Sequence, residues 1–146
     1  MLPRLTIFPI ALLVAPMVQA SDIWSAEQAQ AAVADGRAIL IDIRSEGDWK
    51  DTGLAKGAVP VSMHDPAFGA NIQRLIDTRG DKIVAMICAT GGRTAHVKSV
   101  LDRAGINGFV DVSEGMMGSP RGAGWLQKGL PVVTLDEARA AMGTVE

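Results

Sequence analysis

The sequence predicts an α/β domain built on a central, mostly parallel sheet with helices on both faces. Three observations lead there. Short apolar runs at Ala38–Ile43, Ile83–Ile87 and Gly108–Val112 have the length of buried strands. Segments with helical spacing stand between these runs, and strands alternating with helices argue for a parallel sheet covered on both faces. The single cysteine, Cys88, closes the run Ile83–Ile87 and is followed by a Gly pair and a helical pattern. It therefore sits at a strand-to-helix turn, beyond the C-terminal end of a strand, where such sheets bind ligands.

The first residues do not read as part of the domain. Arg4 supplies a short positive region, Leu5–Val18 is apolar but interrupted by Pro9 and Pro16, and Val18-Gln19-Ala20 fits a small-residue cleavage site. This is the pattern of a secretory leader. The apolar run is shorter than the ~20 residues a membrane span needs. The expectation is cleavage after Ala20, leaving Ser21–Glu146 as one periplasmic or secreted domain with no stable membrane anchor. Loss of Arg4 takes the formal charge from −2 to −3. That balance excludes the basic patch expected of a nucleic-acid partner. One cysteine makes no internal disulfide, and no Cys/His spacing suggests a metal site. His64 and His96 are far apart in sequence, and His96 is expected to face solvent.

In chain order, Ser25-Ala-Glu-Gln28 is a capping box that opens a helix carrying Ala29, Ala32 and Val33 on one face, ended by Gly36. The strand Ala38–Ile43 follows. A short helix is expected around Glu46–Asp51, with Trp49 packed on the domain. Val59–Met63 reads as a short strand; Pro60 donates no amide, which places it at an edge or an end. Phe68, Ile72, Leu75 and Ile76 give a helix after Pro66. Gly80-Asp81 turns the chain into Ile83–Ile87. The next helix is expected over Arg93–Ala104, stopped by Gly105. Ser113-Glu114-Gly115 follows the strand Gly108–Val112 and should lie across the pocket. Thr134-Leu-Asp-Glu137 is a second capping box and opens a last helix to about Met142.

The turn after Cys88 has a specific electrostatics. Amides at a helix N-terminus are unsatisfied and carry partial positive charge. Gly91 and Gly92 allow a tight cradle. Such a ring of amides holds an anion, here the thiolate of Cys88 or a charged group bound to it. Thiols in settings of this kind titrate at roughly 3.5–7.5 instead of about 8.5. Arg93 adds a full positive charge beside the loop. These residues describe an activated nucleophile. The bland alternative is a buried, inert cysteine at a strand end, the usual fate of a free thiol.

Cys88-Ala-Thr-Gly-Gly-Arg93 resembles the six-residue active-site loop of rhodaneses. Leu40-Ile41-Asp42-Ile43-Arg44 resembles the family's early strand with its Asp-x-Arg, and Gly53–Ala58 its His-Ile-x-Gly-Ala stretch. Glu114-Gly115 and Trp125–Pro131 resemble its closing helix and Gly-x-Pro-Val ending. The resemblance implies the rhodanese-like three-layer fold and a sulfurtransferase without cofactor. Cys88 would take a sulfane sulfur as a persulfide, held by the amides of Ala89, Thr90, Gly91, Gly92, Arg93 and Thr94, and pass it on. The expected partners are a small anionic sulfur donor and a thiol or cyanide acceptor, a thioredoxin-like protein among the candidates. Asp42 and Arg44 would be supports near the loop; the alternative is a solvent-facing ion pair worth little. Cysteine phosphatases place their Arg after five intervening residues. Four separate Cys88 from Arg93, so the smaller ring suits one sulfur atom better than a phosphate.

Two departures from the family pattern stand out. Met116–Gly124 is longer than usual and rich in Gly, which suggests an extra loop with Met116, Met117 and Arg121 on the pocket rim and Arg121 drawing an anionic donor. The alternative is a surface loop without a role. Ala89 stands where thiosulfate-using members often carry a basic residue, which weakens the case for thiosulfate. Two other functions remain open: a non-catalytic binding module, and a thiol redox sensor that forms a sulfenic acid.

Overall fold

The computed structural model describes residues 22–143, so the expected leader Met1–Ala20 lies outside the described residues. The elements run β1 (Ile23–Trp24), α1 (Ala26–Ala34), β2 (Ala38–Asp42), α2 (Glu46–Thr52), β3 (Leu54–Ala55), β4 (Ala58–Pro60), α3 (Phe68–Thr78), β5 (Ile83–Ile87), α4 (Gly92–Arg103), β6 (Phe109–Val112), β7 (Val132–Val133) and α5 (Leu135–Gly143). Five strands form a sheet in the order β1-β6-β5-β2-β4, with every pairing parallel. β3 and β7 make a separate antiparallel pair. The α/β architecture with helices on both faces is therefore the one the sequence predicts.

Alternation along the strands divides the core in two. Leu40, Ala85, Ile87, Val110 and Val112 point to one face, where Ala26 and Ala29 of α1, Trp49 of α2, Trp125, and Leu135 and Ala138 of α5 cover them. Ile41, Val84, Met86, Cys88 and Phe109 point to the other, under Ile72 of α3 and Val97 and Leu101 of α4. The sheet is thus the middle of three layers.

Local signals explain the element ends. The Ser25 hydroxyl accepts from Gln28 N while Gln28 Oε1 accepts from Ser25 N, closing the expected capping box. Thr134 and Glu137 do the same for α5. Pro60 ends β4, an edge strand, where its missing amide breaks no ladder. β4 is shorter than expected, although Val61 N and Met63 N still donate to Asp42 O and Ile43 O at 3.0 and 3.1 Å. β1, β3 and β7 had no sequence signal: each is two residues long and exists only through its partner strand.

The expectation of a pocket rim built on Met116 and Met117 fails. Met116 is not on a pocket rim: it is 0% exposed and packs in the core with Leu40, Ile87 and Trp125. Trp125 N donates to Gly115 O and Leu126 N to Met116 O, which turns the chain inward at this point.

Candidate active site

Cys88 follows β5, the middle strand of the sheet, and is 1% exposed. Its Sγ accepts a hydrogen bond from Gly91 N at 3.2 Å and lies 3.5 Å from Thr94 Oγ1. Gly91 caps α4 with φ +84°, a left-handed conformation that glycine adopts without strain. The chain can therefore fold back on the sulfur before the helix starts. Thr94 is fully buried, and its hydroxyl donates to Gly91 O at 3.1 Å. Of the six loop residues expected at the site, these contacts bring Gly91 and Thr94 directly to the thiol.

The loop is locked from above by the segment after β6, which does lie across it. Met116 N donates to Cys88 O and Met117 N to Ala89 O, each at 2.8 Å. Two glycines make this approach possible. A Cβ on Gly91 would stand 2.3 Å from Ser113 O, and one on Gly115 (φ +66°) 2.3 Å from Ala89 O. Glu114 Oε2 fixes the same segment to α1, accepting from Ala26 N at 2.9 Å and from Lys128 Nζ at 2.5 Å.

Arg93 is one-third exposed, and its Nη1 lies 3.8 Å from Asp48 Oδ2 on α2. Its charge is therefore shared with a carboxylate instead of standing free beside the loop. Burial pushes the Asp48 carboxyl up, but the Ser45 hydroxyl and amide, with Arg44 and Arg93, outweigh it and hold the group below the usual aspartate value.

Asp42 and Arg44 are buried at 0% and 1% exposure, which rules out a solvent-facing pair. Arg44 Nε donates to Asp42 Oδ1 at 3.0 Å and Nη2 to Asp42 Oδ2 at 2.8 Å. The same guanidinium donates to Thr52 Oγ1 and to Gly53 O, both at 2.9 Å. Asp42 is in register with Ile87, next to Cys88. The pair therefore ties the end of α2 to the strand beside the thiol. A two-pronged guanidinium fits this planar task where an ammonium would not.

A cavity of about 610 Å³ opens beside the loop, lined by Thr90, Gly91 and Gly92, by Lys98 of α4, and by Asp111 and Arg121. Arg121 does line this cavity. Met117 is 48% exposed and stands outside its lining. Asp111 escaped the sequence reading because it sits in an apolar run as a single polar residue. It is only 5% exposed, and burial raises its carboxyl above the ordinary value against the pull of Thr94, Arg121 and Lys98. The one signal that could have found it is an acid inside the buried strand Phe109–Val112.

An α/β domain with a lone cysteine cradled between the central strand and a helix N-terminus is the class that fold and site define. The Rhodanese-like domain model matches residues 25–118, well over half of the chain. The chain belongs to the rhodanese-like domain family. The uncharacterized protein RP600 of Rickettsia prowazekii (strain Madrid E) is 23% identical over 105 residues, covering 68% of this chain and 85% of that protein. The crystal structure of Rv0390 from M. tuberculosis aligns with a TM-score of 0.55 and 25% identity, over 75% of this chain and 94% of that one. The human single-domain sulfurtransferase TSTD1 shares the fold, with a TM-score of 0.53 and 23% identity over 75% of this chain and 98% of that one.

Proposed function

We propose that this protein is a sulfurtransferase that carries a sulfane sulfur on Cys88. The observation that carries the reading is the amide of Gly91 donating to Cys88 Sγ at 3.2 Å at the start of α4. Membership of the family supports a sulfurtransferase-like role in general terms. In the first step the Cys88 thiolate attacks the outer sulfur of the donor. A bond forms between Sγ and that sulfur, the bond from that sulfur to the rest of the donor breaks, and the electron pair leaves with the donor fragment. The terminal sulfur of the persulfide is then the anion that the loop amides hold. In the second step an acceptor thiolate or cyanide attacks the terminal sulfur, and Cys88 departs as thiolate. The cycle requires no metal or organic cofactor.

A thiol with 1% exposure favours a donor that presents a small terminal sulfur over a bulky electrophile. Arg121 beside the loop favours an anionic donor. The leader pattern of residues 1–20 supports work in the periplasm or outside the cell. Thiocyanate release from cyanide with thiosulfate, mercaptopyruvate and a low-molecular-weight persulfide as donors tests the reading. At least one donor must turn over with the wild type and none with Cys88→Ala. A wild type inactive with all of them reduces the domain to a binding module.

A further inference from the structure

The cavity beside the loop holds a buried acid that the sulfur cycle leaves unpaired. β5 and β6 are in register at Met86 and Asp111, so Asp111 stands with Met86 on the face of the sheet that α4 covers. Asp111 is 5% exposed and lines the cavity. Among the described residues, Asp111 Oδ1 and Trp49 Nε1 are the buried side-chain atoms without a hydrogen-bond partner. The hydroxyl of Thr94, on the buried stripe of α4, is spent on Gly91 O and Cys88 Sγ. A buried carboxyl left in that condition needs an explanation, and a cationic donor delivered from the cavity supplies one.

The cations around the cavity are not equally available. Lys98 Nζ is held by Asp102 and Asp22, at 2.5 and 3.5 Å. Arg103 Nε donates to Ser99 O at 3.3 Å. Arg121 is exposed at the cavity, and its side chain is in no salt bridge among the described residues. The turn that carries it is fixed. Ser119 N donates to Gly122 O and Gly122 N to Ser119 O, at 3.0 and 3.1 Å, and Arg121 N donates to Ser119 Oγ at 3.1 Å. Gly122 lies so close to Glu114 that a Cβ there would stand 2.8 Å from Glu114 Oε1. The cavity therefore offers an open cation and an open acid. Its volume of about 610 Å³ is within the roughly 300–1,000 Å³ usual for small organic ligands, and more than a bare inorganic anion such as thiosulfate fills.

We propose that this cavity binds the amino-acid end of a zwitterionic sulfur donor, with the ammonium on Asp111 and the carboxylate on Arg121, so that the donor is an amino-acid persulfide of the cysteine type. This names the substrate class of the sulfur-carrier reading and rests on it. Thr90, Gly91 and Gly92 form the adjoining wall, so a donor held by its amino-acid end turns its sulfur end toward the loop. The Cys88 thiolate attacks the terminal sulfur of the persulfide. A bond forms between Sγ and that sulfur, the S–S bond of the donor breaks, and the amino-acid thiolate leaves with the electron pair. No oxidant or reductant enters. Thiosulfate and mercaptopyruvate carry the anionic group without the ammonium, so they satisfy Arg121 and leave Asp111 unpaired.

The test compares cysteine persulfide with N-acetylcysteine persulfide, which keeps the carboxylate and masks the ammonium. Each rate of Cys88 persulfide formation is divided by that donor's rate with a free small-molecule thiol. The wild type should prefer cysteine persulfide about tenfold, and Asp111→Asn should cut the preference below about twofold. Arg121→Ala should slow both donors severalfold and keep the preference. Equal rates from the two donors in the wild type overturn the proposal, as does a preference that survives Asp111→Asn or vanishes in Arg121→Ala. S-methylcysteine, which has no sulfur to transfer, reads the site apart from the carrier cycle, and it carries the test if Asp111→Asn does not fold. It should bind the wild type and shift the amide resonances of Gly91 and Arg121, while N-acetyl-S-methylcysteine should bind about tenfold more weakly. Equal affinities overturn the proposal. Binding as described by a wild type that takes sulfur from no donor refutes the carrier reading and leaves the site standing; persulfide formed equally from both donors does the reverse.

Discussion

Gly115→Ala separates the geometry of the loop from the stability of the domain. Gly115 has φ +66°, and a Cβ there would stand 2.3 Å from Ala89 O, 2.7 Å from Ala89 C and 2.9 Å from Thr90 N. All three atoms are backbone of the sulfur-binding loop. Ordinary contact begins at 3.4 Å, so the two segments must part by about 1 Å. They cannot part freely, because Met116 N and Met117 N hold Cys88 O and Ala89 O at 2.8 Å. Left-handed strain and overpacking together should remove about 2–5 kcal/mol of stability. A displacement of this size at a reacting centre should lower sulfur transfer about 100-fold in the protein that remains folded. Gly105→Ala is the control. It has φ +72° with nothing within 4 Å of the added carbon. It should cost only about 1 kcal/mol and leave turnover unchanged. Urea titration gives the stabilities, and the rate of persulfide formation at a temperature where both variants are folded gives the activities. A Gly115→Ala variant that transfers sulfur as fast as Gly105→Ala would refute the claim that the 113–117 segment sets the loop.

Arg44→Met strands the Asp42 carboxylate in the core and should cost about 3–5 kcal/mol by urea titration, while exchange of both residues for apolar ones should recover much of that. Arg121→Ala should raise KM for an anionic donor severalfold at low salt and less at high salt, with kcat unchanged; an unaltered KM for every anionic donor would remove Arg121 from the site. The pH dependence of stability follows from Asp111. Its carboxyl is raised above 3.8 by burial, so its contribution is fully present below about pH 3.8 and is lost as pH rises through the folded value. Compared with Asp111→Asn, the wild type should therefore lose stability over that interval and run parallel above it, as read from thermal midpoints across pH.

Much of this was legible because the signals were local. Ser25-Ala-Glu-Gln28 and Thr134-Leu-Asp-Glu137 each specify a helix start by reciprocal side-chain bonds, and both formed. The run Ile83–Ile87 followed by Cys88 and the Gly pair placed the thiol correctly, since strand length and turn chemistry agree there. What was not legible depends on distant partners. β1 exists because Asp111 N and Ser113 N donate to Asp22 O and Trp24 O, and nothing in a two-residue stretch announces that. Met116 looked like a rim residue in a Gly-rich loop. Its burial is decided by Trp125 and Leu126 folding back on Gly115 and Met116. The Asp-x-Arg spacing at the end of β2 is compatible with Asp42 and Arg44 pointing to one side. It did not show that the side is the core, because burial of the pair depends on Thr52 and Gly53 arriving to take the remaining donors of Arg44. Arg93 was read as a positive charge beside the loop; that Asp48 stands 3.8 Å from it was not legible, because Asp48 lies on another helix.

The most direct test of the account is the intact mass of the purified protein before and after incubation with sulfur donors, with Cys88→Ala beside it. The account predicts a gain of one sulfur atom that maps to Cys88, is removed by cyanide and is absent from the variant. No gain with thiosulfate, mercaptopyruvate or a low-molecular-weight persulfide, or the same gain in Cys88→Ala, would contradict it.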